Sequence, residues 1–122
     1  MRSSLKFKTD LDYRVSAGFY LNWGWKDFAN RYVNVGETLR RAMTMNPHLK
    51  VYVANGYFDL ATPHFASDYT MNHLMLDAPL DKNISRHYYE AGHMMYAHAP
   101  SLTKMADDMH GFVKSALRAS AK

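Results

Sequence analysis

No cysteine occurs among the 122 residues, which excludes disulfides, thiolate metal sites and cysteine nucleophiles while leaving the compartment open. No run approaches the ~18 consecutive apolar residues that a membrane span needs, so an integral membrane chain is not expected. The opening residues, MRSSLKFKTD, have neither an apolar core nor a small-residue cleavage site, and do not read as a secretory signal. Charge of one sign is also scarce: 15 basic residues face 11 acidic ones for a net charge of +4. The basic residues are scattered, and Arg40-Arg41 is their only adjacent pair. A nucleic-acid groove needs a stripe of Lys and Arg interleaved with aromatics, so no nucleic-acid partner is expected. Four prolines and six glycines leave few breaks in the chain.

What is present suits one small globular domain. Hydrophobic residues make up 48%, with two Trp, nine Tyr, six Phe and nine Met as core material. A chain of this size buries roughly two thirds of its unfolded surface. Residues 1–12 are polar and read as a loosely held arm. From Tyr13 to Tyr32 aromatics crowd at neither helical nor strand period, and Gly18 and Gly24 interrupt any long helix. Residues 1–33 are therefore set apart as an arm with an irregular aromatic segment, and 34–122 as the ordered unit.

Within that unit, Asn34 with Glu37 three residues on predicts a capping box. Val35, Leu39, Ala42 and Met43 then follow helical spacing until Asn46-Pro47, because the residue before proline is pushed out of the α region. Leu49 to Ala54 is a short apolar run suited to one buried strand, broken at Asn55-Gly56. Thr62-Pro63 predicts a helix start, with the hydroxyl as cap and proline at the first helical position. That helix runs to about His73, with Phe65, Ala66 and Tyr69 as its inner face and Asp68 as a surface charge. Asp77 to Asn83 reads as a turn-rich link. Ile84–Tyr89 alternates as a strand, Ala91-Gly92 breaks it, and Pro100-Ser101 start a last helix. The stripe of that helix, Leu102, Met105, Met109, Phe112, Val113 and Leu117, predicts packing on a sheet. The order is coil, helix, strand, helix, strand, helix, an α/β pattern with about two parallel strands. Two such strands make a thin sheet, as parallel sheets are normally buried inside larger ones.

Two segments carry the chemistry: NPHLKVYVANGYFDLATP (Asn46–Pro63), with its Gly-x-x-Asp-x-x-Thr-Pro core, and YYEAGHMMY (Tyr88–Tyr96). Strand, turn, lone carboxylate and helix start is how an α/β sheet presents a functional group at the carboxyl ends of its strands. With LRRAM (Leu39–Met43) in support, the chain resembles the C-terminal part of the serine carboxypeptidases, the carboxypeptidase Y-like branch of the α/β-hydrolase fold, and bacterial members most. The resemblance spans roughly residues 10 to 118. It implies that Asp59 is the acid and His93 the base of a catalytic triad, and that Met94 lines the leaving-group side. It also implies an incomplete α/β-hydrolase sheet of about two parallel strands with three or more helices. The chain order of acid before histidine is the α/β-hydrolase order, and Gly92 is expected to let the histidine loop turn tightly.

The nucleophile elbow G-x-S-x-G is missing from these residues; the nearest string, Arg14-Val-Ser16-Ala-Gly18, lacks its first glycine. Ser67, Ser85 and Ser101 sit in helix, strand and cap settings. The oxyanion hole and the grip on a substrate carboxylate lie, in that family, in the earlier part of the chain. The expectation is thus the acid–base part of a peptidase, inactive alone, taking a peptide substrate only when completed by an N-terminal half. The alternative is a non-catalytic, self-associating α/β module derived from a hydrolase. His87, Glu90, His93 and His98 match no familiar zinc spacing, and neither a metal nor a cofactor is expected. A bare strand edge pairs with other chains, so a homodimer or larger oligomer joined across Leu49–Ala54 is expected.

Overall fold

The computed structural model describes residues 6, 8–10 and 24–119. The chain divides into two units, Met1–Val33 and Asn34–Lys122. Much of the first, including most of the aromatic crowding from Tyr13 onward and the Arg14–Gly18 string, lies outside the described residues. Its described part holds a 3-10 turn, Lys26–Phe28, closed by the Phe28 N–H on the Trp25 carbonyl at 2.9 Å. The Arg31 guanidinium lies over the Phe28 ring, 5.4 Å from its centroid.

The second unit is mixed α/β: four helices and two parallel strands in an incomplete sheet. In chain order these are α1 (Gly36–Met45), β1 (Val51–Gly56), α2 (His64–Asn72), α3 (Ala78–Asp81), β2 (Ile84–Tyr89) and α4 (Ala99–Ala119). The strands pair in parallel from Val51 opposite Ile84 to Gly56 opposite Tyr89. α2 packs on β1 and α4 on β2. Among the described residues no helix is long and apolar enough to cross a membrane.

Strand β2 has the expected limits, but β1 runs two residues past its expected break. Asn55 and Gly56 stay in the ladder and are buried, and the turn comes at Tyr57-Phe58. Pairing continues beyond the strands, with Tyr57 N–H on the Tyr89 carbonyl (2.9 Å) and Phe58 N–H on the Ala91 carbonyl (3.0 Å). At the other end Asn83 fastens both strands. Its carbonyl accepts from Val51 N–H at 2.9 Å, its amide donates to the Pro47 carbonyl at 2.7 Å, and its side-chain oxygen accepts from Lys50.

Several helical expectations are corrected. Asn34 and Glu37 form no capping box: Asn34 Oδ1 accepts from Gly36 N–H at 2.9 Å, an Asx turn, while Glu37 pairs with Arg40 at 2.7 Å. Val35 is exposed, and of the expected face only Met43 is buried. The Asp77–Asn83 link contains the one-turn helix α3, which starts with proline near its N-terminus, where a missing N–H is harmless. Helix α2 turns a different face inward. Phe65 and Tyr69 are exposed, at 76% and 66%, while His64, Ser67, Asp68 and Met71 are partly buried at i, i+3, i+4 and i+7. Asp68 is no surface charge: it accepts from the Tyr88 hydroxyl at 2.6 Å, which helps push that phenol up to about 12. A polar inner face was illegible as a face because apolar periodicity cannot reveal it.

On the other side of the sheet the core is Tyr89, Ala91 and Met95, with Ala54 and Met105 packed against it. The buried Tyr89 hydroxyl meets that of Tyr52 and donates to Asp108 of α4 at 3.0 Å. Asp108 also takes Lys104 at 2.6 Å and lies 3.2 Å from His87 Nδ1. The expected α4 stripe is only partly engaged. Ser101, Met105, Asp108 and Phe112 face inward, while Leu102, Val113 and Leu117 are exposed.

Candidate active site

The ends of β1 and β2 approach so closely that only glycine fits at Gly56. A Cβ there would lie 2.4 Å from the Gly92 carbonyl oxygen and 2.6 Å from that of Ala91. This contact brings the two following loops together, and the loops carry Asp59 and His93. Gly92 itself is not the tight position: a Cβ on it meets nothing nearer than the Phe58 carbonyl oxygen at 3.8 Å.

Asp59 is buried, and its carboxylate is held by its own loop. The Ala61 and Thr62 N–H groups each donate to Oδ1 at 2.9 Å, and the Thr62 hydroxyl donates to Oδ2 at 2.6 Å. The Thr62 hydroxyl is thus committed to Asp59 rather than to capping α2, and Pro63 stands at the cap position, one residue before the helix. The Thr62 hydroxyl and amide, then His93 and the Ala61 amide, hold the Asp59 carboxyl far below its ordinary range, outweighing burial, which acts the other way.

His93 places Nδ1 2.9 Å from Asp59 Oδ2, and 3.4 Å from Thr62 Oγ1. Because the carboxylate stays ionised, Nδ1 carries the hydrogen and donates it, so Nε2 presents a lone pair. The His93 side chain is 65% exposed while that of Asp59 is 3% exposed. A buried carboxylate that orients an open imidazole lets Nε2 accept a proton and stabilises the resulting cation. Met94 follows His93 at the surface, 55% exposed, before the 3-10 turn Met95–Ala97.

The remaining histidines are dispersed. His87 meets Asp108, and His98 Nδ1 lies 2.9 Å from the Ser101 hydroxyl. Among the described residues no group of three or more His, Asp or Glu could hold a metal ion. A cleft of 330 Å³ lies between the turn after β1 and the start of α4, lined by residues that include Tyr57, Glu90, His98, Ser101 and Lys104. Neither Asp59 nor His93 lines it, so that pair sits outside it. Sequence reasoning missed Thr62 as a carboxylate partner; the Asp-x-x-Thr spacing was the available signal, since a side chain three residues on can reach back across one turn. No family model, curated protein or solved structure matches this chain.

Proposed function

We propose that this chain supplies the acid and base of a serine carboxypeptidase-like peptidase and is inactive alone. The observation that carries the reading is the 2.9 Å contact between the buried Asp59 carboxylate and His93 Nδ1, with the imidazole otherwise open. In a completed site a serine hydroxyl beside Nε2 passes its proton to the imidazole as its oxygen attacks the peptide carbonyl. His93 then returns that proton to the departing amine, with Met94 on the leaving-group side. Asp59 keeps the imidazole in the productive tautomer and stabilises its cation. The serine and the donors for the developing oxyanion come from an N-terminal half of the hydrolase fold, which extends the two-stranded sheet and brings the peptide substrate. Neither nucleic acid, membrane nor cofactor has a part.

The test is complementation. The chain alone takes no label from a fluorophosphonate probe; serine labelling abolished by His93→Ala would overturn the claim of inactivity. Mixing with a carboxypeptidase N-terminal half restores peptidase activity that His93→Ala and Asp59→Asn remove. Absence of recovery favours the alternative, a non-catalytic module that self-associates.

A further inference from the structure

Helix α4 turns one mixed face to the sheet and leaves a second, apolar face uncovered. Ser101, Met105, Asp108, Phe112 and Ala116 are buried or partly buried at helical spacing. At about 100° per residue, the set Leu102, Ala106, Met109, Val113 and Leu117, each one position further along, lies about 100° around the helix from them. Leu102 and Val113 are each 48% exposed, Met109 36% and Leu117 67%. Most of this stripe, with His110 and Lys114, lines a shallow groove of 500 Å³.

We infer that two copies of this chain associate through this outer face of α4, antiparallel, about a two-fold axis passing between Met109 and His110. Two features of the stripe identify the occupant as a second copy. First, its positions read alike from either end: Leu102, Ala106 and Met109 precede the axis at the spacings with which Leu117, Val113 and His110 follow it. An antiparallel copy therefore sets Leu102 level with Leu117 and Ala106 with Val113, while the two Met109 side chains meet beside the axis on one edge and the two His110 rings on the other. A two-fold interface demands such self-complementarity.

Second, the charges beside the stripe complement themselves. Asp107 and Lys114 are both exposed, and neither forms an ion pair among the described residues. Seven residues apart, they share the edge of the stripe away from the sheet. Antiparallel pairing brings Asp107 of each copy within about 3 Å, along the axis, of Lys114 of the other. This gives two cross pairs on one edge of the contact. The surface is distinct from the strand edge, and the inference does not depend on any peptidase role.

The stripe is about 23 Å long, which puts the contact at the small end of specific interfaces and its affinity in the micromolar range. Sedimentation equilibrium on the full chain tests it. Wild type forms a dimer at high micromolar concentration. Asp107→Lys and Lys114→Asp, both on the exposed edge and harmless to folding, each weaken it by about tenfold or more. The double variant, which restores opposite charges across the axis, recovers affinity to within about threefold of wild type. In a chain without cysteine, Met109→Cys yields a disulfide-linked dimer on oxidation. A monomer at all concentrations overturns the inference, as does any assembly that tolerates both single reversals or a double variant as weak as the singles. Completion of the hydrolase site by an N-terminal half is read by activity instead, so either conclusion can fail without the other.

Discussion

Asp59 shows what a single residue can disclose and what it cannot. Its place after a strand and before a helix was legible, because Gly-x-x-Asp-x-x-Thr-Pro combines a turn signal with an acid that no apolar pattern requires. Its dependence on Thr62 was not, since the same threonine is equally suited to cap α2. The consequence is a stability that depends on acid. A carboxyl whose pKa is depressed by folding contributes stability above its unfolded value, near 3.9, and loses it as pH falls toward the folded value. Wild type is therefore expected to melt well above Asp59→Asn at neutral pH, with the gap narrowing below about pH 4. Thr62→Val, which removes the strongest of the carboxylate's partners, shows the same trend at smaller amplitude. Melting curves from pH 7 to 3 decide it, and a gap constant across that range would count against the assignment.

At the scale of elements, the strands and the long helix were legible because their patterns are local. Ile84–Tyr89 alternates, and β-rich sequence bounded by turns leaves little choice. The networks that fasten them were not: His87 and Tyr89 of β2 meet on Asp108 of α4, and Tyr52 of β1 joins them through the Tyr89 hydroxyl. Nor could sequence tell which glycine matters, since only the closed sheet shows that Gly56 faces backbone. Gly56→Ala forces the strand ends apart just where Asp59 and His93 are brought together, and is expected to cost about 2–3 kcal/mol. Gly92→Ala stays within about 1 kcal/mol of wild type. Gly111 offers the opposite case, being inside α4 with nothing within 4 Å of a Cβ. Gly111→Ala is expected to stabilise by about 0.5–1 kcal/mol, the helix preference for alanine over glycine. Urea titrations of the three variants separate these outcomes, and a destabilised Gly111→Ala would show that α4 is closely covered there.

The whole molecule has a thin core for its apolar content. Among the described residues Met43, Leu74, Tyr89, Ala91 and Met95 are the buried hydrophobics, while Val35, Met45, Phe65, Tyr69, Leu102, Val113 and Leu117 stand exposed. Composition alone did not reveal this, because 48% hydrophobic residues describe equally a filled core and a surface awaiting a partner. A sheet of two parallel strands cannot cover its helices as a larger one would, which leaves α4 with apolar surface to spare. If association through α4 covers part of that surface, folding and assembly are linked and stability must depend on concentration. Above the dissociation constant a tenfold rise in protein adds about 1 kcal/mol, which moves the melting midpoint of a domain this size upward by about 3–6 °C. In Lys114→Asp, whose association is weaker by about tenfold or more, the same tenfold rise moves the midpoint less. Scanning calorimetry at low and high micromolar concentration reads both. A midpoint that rises equally in the two proteins would move the interface off α4 and onto the open sheet edge.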